Sequence, residues 1–194
     1  IANQEMIRDN NRRQVLEYIV NNPPVSRAAL AKELHLTKAT ISNIVQDLME
    51  QNLVAEIGSA QTALGRKPIL LEFQKKCGYA FSIDVHPRQI ITLISDLKGE
   101  DCHLKEYPFQ EEDCLLELLR SIIKETLPRC QNAPYGIVGI SIGIYGVVRE
   151  NEIIFTPYYP LPQPHLGKIL AEEFGIPVTV ENESNLSVLG ESAF

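Results

Sequence analysis

The chain has 194 residues, of which 44% are hydrophobic and 22% are charged, as expected for a soluble globular protein of one large or two small domains. No apolar run approaches the roughly 20 residues that a membrane-spanning helix needs, and the polar start does not resemble a secretion signal. These features predict a cytoplasmic protein with no membrane partner. The cysteines are far apart and form no C-x-x-C pair, which predicts reduced thiols and no metal site (Cys77, Cys102, Cys114, Cys130).

The net charge of −7 is unevenly distributed along the chain. Residues 1–76 contain ten Lys or Arg and eight Asp or Glu, whereas residues 77–194 contain eight and seventeen. The first part is slightly positive and could approach a polyanion, whereas the second part would repel one. The asymmetry predicts different partners for the two parts.

The first part begins with three predicted helices. The stretch NNRRQVLEYIVNN has one apolar helical stripe, and the prolines of NNPP end it. Ser26 and Thr37 are the predicted N-caps of the next two helices, in VSRAALAKELHL and HLTKATISNIVQDLMEQN. These two helices share a hydrophobic seam across a tight turn, which is typical of a helix-turn-helix. The strands LVAEI and PILLEF flank the basic tip GSAQTALGRK, so residues 1–76 are predicted to form a winged helix-turn-helix.

The exposed start of the third helix is the candidate DNA-binding site. It offers short polar groups and one cation, which suit the major groove, while the basic tip suits the minor groove and Arg27 suits a phosphate. The predicted contacts are Arg27, Thr37, Lys38, Ala39, Thr40, Ser42, Asn43, Arg66 and Lys67. Because the positive charge is modest, binding of double-stranded operator DNA is expected to require a homodimer on two half-sites. The alternative is a solvated helix face in a winged helix that binds another protein.

Residues 77–194 are predicted to form an α/β domain. The stretches YAFSIDV, QIITLISDLKG and CHLKEYPF read as strands, and EEDCLLELLRSIIKETL reads as an amphipathic helix. A buried strand YGIVGISIGIYG, a helix GKILAEEFG with Gly175 at its C-terminal cap, a strand IPVTVEN and a helix SNLSVLGESAF follow. Polar residues cluster after the last strand, at Asn182 and Glu183 among others, where they could cap the helix or hold a polar ligand.

Several motifs resemble the ROK family of repressors and sugar kinases. The stretch GRKPILLEF is similar to the wing and exit strand of ROK repressors, and YAFSIDVHPRQIITLISDLKGE resembles the first hairpin of the actin-like ATPase fold. The stretch LAEEFGIPVTVENESNLSVLGE carries the most specific resemblance, and its N-E-x-N variant is similar to the xylose-repressor branch. The resemblance implies that residues 77–194 are the N-terminal part of a sugar-sensing ROK domain. It also implies that Asn182 and Glu183 bind a sugar, either xylose or a hexose.

Two departures from the kinase pattern argue against catalysis. Sugar kinases of this family have D-x-G-G-T where this chain has Asp84 followed by Val85, His86, Pro87 and Arg88, so a backbone cradle for ATP phosphates is not expected. The kinase's catalytic aspartate aligns with Glu183, whose longer side chain misplaces the carboxylate. We therefore expect no enzyme activity, no catalytic residue and no cofactor.

The function predicted from the sequence is a sugar-responsive transcriptional repressor of a carbohydrate-utilisation operon. The alternatives are a ROK sugar kinase that carries a DNA-binding domain, and a constitutive repressor that has lost its inducer. Because the chain stops soon after the N-E-x-N motif, it is expected to be a fragment or a short gene product. Tyr145, Thr156 and Tyr158 are interpreted as packing residues, and His86 as a solvated surface residue.

Overall fold

The computed structural model describes residues 2–59, 68–110, 112–160 and 163–193. Its contacts divide the chain into two compact units, residues 1–75 and residues 76–194. Among the residues described, no helix is long and apolar enough to cross a membrane. The mixed α/β class with an N-terminal winged helix-turn-helix, predicted from the sequence, is confirmed.

The first unit consists of three helices and a small antiparallel sheet. The elements are α1 (Ala2–Asn21), β1 (Val25–Ser26), α2 (Arg27–Glu33), α3 (Lys38–Glu50), β2 (Val54–Ser59) and β3 (Ile69–Phe73), with strand order β1-β3-β2. Apolar side chains from all three helices and the sheet form one core, in which Ile19, Leu30, Ile41, Leu48 and Leu71 are fully buried. This core fixes the position of α3 relative to α2.

Both predicted N-caps of the helix-turn-helix are confirmed. The Ser26 hydroxyl accepts a hydrogen bond from the Ala29 amide, and the Thr37 hydroxyl accepts one from the Thr40 amide. Each bond satisfies a backbone donor that has no partner within its helix. The start of α3 is therefore determined by a residue that precedes it directly.

Two features of the first unit differ from the prediction. Helix α1 begins at Ala2, well before the apolar stripe that predicted it, and its early turns carry polar residues such as Arg8, which contacts Asp47 of α3. Hydrophobic periodicity cannot show such contacts. Strand β1 has only two residues, too few for a recognisable alternation. The tip of the predicted wing, with Arg66 and Lys67, lies outside the described residues.

The second unit is built on a five-stranded sheet. Its elements are β4 (Tyr79–Val85), β5 (Gln89–Asp96), β6 (His103–Pro108), α4 (Leu115–Thr126), β7 (Ile137–Ile144), β8 (Val147–Arg149), β9 (Glu152–Phe155), α5 (Leu166–Phe174), β10 (Val178–Asn182) and α6 (Glu183–Ala193). The strand order is β10-β7-β4-β5-β6. Strands β4, β7 and β10 are parallel, and β5 is antiparallel to both of its neighbours. Gly175 has a left-handed conformation at the end of α5, which confirms the predicted cap.

The hairpin of β8 and β9 was not predicted from the sequence. Its turn residues Glu150 and Asn151 both have positive φ angles, 49° and 68°, as a tight two-residue hairpin turn requires. The glycines that normally mark such turns are absent at these positions, so the sequence carried only a weak signal. The Asn151 side chain accepts a hydrogen bond from the Val180 amide and donates one to the Val178 carbonyl, which attaches the hairpin to β10.

The parallel strands bring three chain segments to one edge of the sheet. In the register of the sheet Asp84 pairs with Gly143, and Glu181 pairs with Gly143 from the other side. The residues that follow these strands, from β4, β7 and β10, therefore meet at the same edge. Ligands of open α/β sheets bind at the carboxyl ends of parallel strands.

Candidate functional site: a helix face and a carboxylate-lined cavity

Helix α3 is amphipathic, with an apolar face and a polar face on opposite sides. Ile41, Ile44, Val45 and Leu48 are buried in the core of the first unit. The predicted DNA contacts on α3 are on the opposite face, where Lys38, Ala39, Ser42 and Asn43 are exposed and Thr40 is half-buried. The polar face can therefore approach another molecule without any change in the core.

Thr37 is the N-cap of α3 and fixes the conformation of its first turn. Its hydroxyl accepts from the Thr40 amide at 3.1 Å and shares a second hydrogen bond with the Thr40 hydroxyl at 2.8 Å. The pair orients Thr40 towards the first turn of the helix. Thr37 thus has a structural task in addition to the predicted contact with DNA.

Arg27 has a carboxylate partner within the first unit. Its Nη1 atom lies 2.8 Å from Oε1 of Glu56, and its side chain is 28% exposed. Nη2 lies 3.6 Å from the Met49 sulfur. The guanidinium is held against β2 and the last turn of α3, a position that the sequence did not indicate.

A cavity of about 460 Å³ lies over one face of the five-stranded sheet, towards the carboxyl ends of β4 and β7. Its size is within the usual range of small-molecule sites. One side is apolar and comes from β5, β6 and α6, and the other is polar and comes from β4, β7 and the start of α6. The lining residues include Ser82, Asp84, Ile91, Leu93, Leu104, Ser141, Gly143, Tyr145, Glu183 and Leu186.

Asp84 has one paired and one unpaired carboxylate oxygen. Oδ2 lies 2.8 Å from Nε2 of His86, whereas Oδ1 is buried with no hydrogen-bond partner in the described part of the chain. Burial raises the pKa of the Asp84 carboxyl, His86 opposes the rise, and the nearby Glu183 carboxylate adds to it. A hydrogen-bond donor placed at Oδ1 would relieve the cost of the buried oxygen.

Glu183 has the same division between its two oxygens. Oε1 accepts a hydrogen bond from the Ser184 hydroxyl at 2.7 Å, whereas Oε2 is buried and has no partner among the residues described. Two carboxylates that line the same cavity therefore each have one buried oxygen with no hydrogen-bond partner among the described residues. This arrangement suits a ligand with several hydroxyl donors.

Asn182 acts chiefly as a cap and a tether. Its Oδ1 atom accepts from the amides of Ser184 and Asn185 at the start of α6, and its Nδ2 atom donates to the Gly146 carbonyl at 2.7 Å. Of the two interpretations that the sequence left open, capping is therefore the one for which the structure has direct contacts. The cap also positions Glu183, the next residue, at the cavity.

His86 and Tyr145 are placed differently from their interpretation in the sequence. The Tyr145 ring lines the cavity and lies 4.8 Å, centroid to centroid, from the His86 ring. Burial raises the pKa of Tyr145, and the carboxylates of Asp84 and Glu183 raise it further. His86 is not a freely solvated side chain, because it pairs with Asp84, and Tyr145 is more than a packing residue. Thr156, in contrast, donates to the Tyr159 carbonyl at 2.7 Å, as a packing residue does.

The turn between β4 and β5 has no free backbone donors at the positions of the kinase glycines. The His86 amide donates to the Gln89 carbonyl at 2.9 Å, and Pro87 has no N–H group. Backbone amides that hold phosphates must point away from such internal acceptors.

Asp84, Ser82 and Ser141 were not among the candidate site residues from the sequence. Alternation along β4 places Ser82 and Asp84 on the same side of the sheet, and the Ser82 and Ser141 hydroxyls lie 3.1 Å apart. Alternation alone could have shown that Ser82 and Asp84 share a face. It could not show that Glu183 lies nearby, because that depends on how the strands are ordered. In the part of the chain that the structure describes, no group of three or more His, Cys, Asp or Glu side chains could hold a metal ion.

Comparison with known proteins decides the family. Residues 80–194, more than half of the chain, match the model of the ROK family. The chain belongs to the ROK family. Residues 10–62, which contain the helix-turn-helix of this ROK chain, match the MarR family model.

Several curated relatives of this chain are named as repressors. The chain is 36% identical over its whole length to the xylose repressor of Bacillus spizizenii and 34% identical to that of Bacillus subtilis, and it spans about half of each, 51%. It is 24% identical over 98% of its length to the DNA-binding transcriptional repressor Mlc of Escherichia coli, of which it covers 48%. These names describe the relatives, whose full chains are about twice as long.

Solved structures agree with the fold. A ROK family transcriptional regulator, described as a homologue of the Escherichia coli Mlc protein, superposes with a TM-score of 0.74 and 25% identity over 97% of this chain and 49% of its own. A sugar kinase from Cytophaga hutchinsonii, described as putative, has a TM-score of 0.52 and 23% identity over 60% of this chain and 40% of its own. The second comparison shows only that the fold of the second unit is shared.

Proposed function

We propose that this ROK chain functions in a DNA-binding transcriptional regulator that represses a carbohydrate-utilisation operon and leaves its operator when a sugar binds. The observation that carries the proposal is the presence, in one chain, of an exposed polar recognition-helix face and of a cavity lined by two carboxylates. Each of these carboxylates has one buried oxygen with no partner in the described part of the chain. The names of the relatives, which are xylose repressors, support the same function.

Helix α3 is the proposed reader of DNA sequence. Short polar side chains reach base edges in the major groove without keeping the helix backbone away from the DNA. The proposed base and backbone contacts on α3 are Lys38, Ala39, Thr40, Ser42 and Asn43, with Thr37 orienting the first turn.

Cations outside α3 are proposed to position the module on the duplex. Arg66 and Lys67 suit the minor groove, whose negative potential attracts inserted cations. Arg27 would exchange its Glu56 partner for a phosphate, which is possible because a partly exposed ion pair contributes little to stability. A homodimer would place two such modules on two half-sites of one operator.

The cavity of the second unit is the proposed sugar site. Oε2 of Glu183 and Oδ1 of Asp84 would accept hydrogen bonds from sugar hydroxyls, while the apolar side of the cavity contacts the C–H face of the ring. Asn182 would hold Glu183 in place through its cap of α6 and its hydrogen bond to the Gly146 carbonyl. The ligand class is a pentose or hexose, with xylose as the first candidate from the relatives.

The sugar is proposed to act by differential binding. A ligand shifts a conformational equilibrium only if it binds one state better than the other. A sugar that prefers the state with low DNA affinity would therefore release the operator, and by linkage operator DNA would weaken sugar binding by the same factor. The chain spans about half of the relatives, so the complete site can include further ligands.

Fluorescence anisotropy tests the proposal directly. The chain is titrated onto duplex DNA from upstream of its own operon and onto random duplex, with xylose, glucose or fructose added in turn. We expect preference for the upstream duplex and release by one sugar. Thr40→Ala and Asn43→Ala should reduce the preference rather than all DNA binding, since they remove base contacts.

A substitution in the proposed sugar site tests whether sugar binding can be changed without changing DNA binding. Glu183→Gln keeps the size of the side chain but removes the charge, and a hydrogen bond to a charged group is worth about 1.5–3 kcal/mol. The variant should bind DNA normally and need about ten- to hundredfold more sugar for release. Specific binding that no sugar releases would point to a constitutive repressor. Binding no tighter than to random duplex would contradict the proposal.

A further inference from the structure

Two contacts set the alignment of α1 with the recognition helix. Nη2 of Arg8 lies 2.8 Å from Oδ2 of Asp47, and the Arg12 guanidinium donates to the Gln51 side chain. Both contacts join residues 39 positions apart, and each helix advances by four residues between them. The two helices therefore run side by side in the same direction, with residue i of α1 next to residue i+39 of α3.

The same alignment continues one turn earlier. It places Gln4 beside Asn43, and both residues line a groove of about 590 Å³ between the helices. The α1 wall of the groove consists of Gln4, Ile7, Arg8 and Asn11, and the α3 wall includes Ala39, Thr40, Asn43, Gln46 and Asp47. Three of the residues on the α3 wall are proposed DNA contacts, so the groove is continuous with the reading face.

The α1 wall has the composition of a phosphate-binding surface. Arginine and amide side chains make many of the contacts to the DNA backbone. Gln4 is exposed, and the Arg8 side chain is 72% exposed although it is paired with Asp47. Because an exposed ion pair contributes little to stability, the guanidinium can leave the carboxylate for a phosphate at small cost.

We propose that α1 from Gln4 to Asn11 is a second strip of the DNA-binding surface, with Arg8 as a phosphate contact that Asp47 holds beside the recognition helix. The inference rests on the proposed DNA-binding function and extends it to a helix outside the helix-turn-helix. The competing explanation is that Arg8 and Asp47 only hold α1 against α3.

The salt dependence of DNA binding distinguishes the two explanations. Anisotropy titrations use the whole chain on a 30-base-pair duplex that the chain enriches from a random library, and on a random duplex of the same length. Each phosphate contact contributes about 0.9 to the slope of log affinity against log salt. Raising the salt concentration from about 50 to about 200 mM weakens DNA binding. On both duplexes, this loss of affinity should be about 3.5-fold smaller for Arg8→Gln than for the unchanged chain.

Arg13→Gln is the matched control. Arg13 is on the same helix and is similarly exposed, at 71%, but it lies about 140° around the helix from Arg8. Its substitution makes the same change in charge and should leave the slope unchanged. Equal slopes for Arg8→Gln, Arg13→Gln and the unchanged chain would overturn the proposal.

Asp47→Asn breaks the same ion pair without removing the cation. If Arg8 only holds the two helices together, Arg8→Gln and Asp47→Asn should change DNA affinity in the same direction. If Arg8 contacts phosphate, Arg8→Gln should weaken binding and Asp47→Asn should strengthen it. The double substitution Gln4→Ala and Asn11→Ala replaces neither Arg8 nor Asp47. It therefore tests the strip even if Arg8→Gln does not fold, as judged by circular dichroism.

Failure of the strip and failure of the proposed function give different results. If the unchanged chain enriches no sequence and binds no duplex, DNA binding itself is contradicted and the strip with it. If the chain binds its enriched duplex, but the α1 variants match it in affinity and slope, only the strip is contradicted.

Discussion

The two carboxylates of the cavity decide much of its chemistry. Asp84 and Glu183 each have one oxygen without a hydrogen-bond partner among the described residues, and each raises the cost of ionising its neighbours. Burial is the largest influence on Asp84 and raises its pKa, while the contact with His86 acts in the opposite direction. The negative charge of these carboxylates is therefore unfavourable in the cavity, and hydrogen bonds from a hydroxyl-rich ligand could offset that cost.

The raised pKa of Asp84 predicts how stability changes with pH. A carboxyl whose pKa is higher in the folded state binds its proton more tightly there, so stability falls as pH rises through the range between the unfolded and folded pKa. Asp84→Asn should then raise the melting temperature at pH 7. The gain should disappear below about pH 4, the ordinary range of an aspartic acid, where the unchanged chain is protonated in both states.

Thermal unfolding followed by circular dichroism from about pH 2.5 to pH 8, a range that extends below the ordinary pKa of an aspartic acid, tests this. Glu106→Gln, at an exposed carboxylate of β6, is the control and should show no such pattern. A lower melting temperature of Asp84→Asn at pH 7 would mean that the contact with His86 outweighs the burial of the carboxylate.

Contacts at the ends of helices and strands, both local and long-range, position the two candidate sites. Thr37 caps α3, and Asn182 caps α6 while it binds the Gly146 carbonyl at the turn into β8. Gly146 tolerates no side chain, because a Cβ atom there would collide with the Phe155 carbonyl oxygen across the hairpin. The hairpin, β7 and α6 are thus joined directly beside the cavity.

The cap of α3 can be separated from its DNA contacts by substitution. Thr37→Ala removes the acceptor of the Thr40 amide and should lower the free energy of unfolding of the first unit by about 1 kcal/mol. Thr37→Ser keeps an acceptor and should change stability little. Urea unfolding measures both, and Ser42→Ala, at an exposed non-capping position of α3, is the control.

DNA binding by the Thr37 variants completes the test. If Thr37 acts mainly as a cap, Thr37→Ser should bind DNA as the unchanged chain does. A Thr37→Ala variant of normal stability but weakened DNA binding would show that Thr37 contacts DNA and that the cap is dispensable.

At the scale of the whole chain, the two parts differ in net charge and are therefore expected to bind different partners. Residues 1–76 have more basic than acidic side chains, whereas residues 77–194 have seventeen acidic and eight basic ones. A polyanion is therefore expected to bind the first half, and neutral ligands with many hydroxyls the second. The family also contains sugar kinases, so loss of phosphoryl transfer is a separate expectation.

We expect no phosphoryl transfer from ATP to glucose, fructose or xylose. The β4–β5 turn donates its His86 amide internally and has a proline next, so it offers no backbone cradle for phosphates. A coupled assay for ADP production with each sugar measures this, with a ROK glucokinase as the positive control. Turnover that Glu183→Gln abolishes would show that Glu183 is a catalytic base and would favour a kinase.

The sequence by itself determined those features that depend on near neighbours in the chain. The apolar spacing of α3 and the caps at Ser26 and Thr37 were predictable because helical contacts join residues three or four apart. Alternation predicted β4 and β5 because side chains change sides at every residue. The sequence also determined the family, through motifs that are continuous stretches.

Only the tertiary structure decided which distant residues meet. The parallel order of β4, β7 and β10 brought Asp84, Tyr145 and Glu183 to one cavity. The contacts of Arg8 with Asp47 and of Arg12 with Gln51 likewise join residues that are far apart in the chain. Hydrophobic patterns report which side of an element is buried, but not which element covers it, so such pairings follow from packing alone.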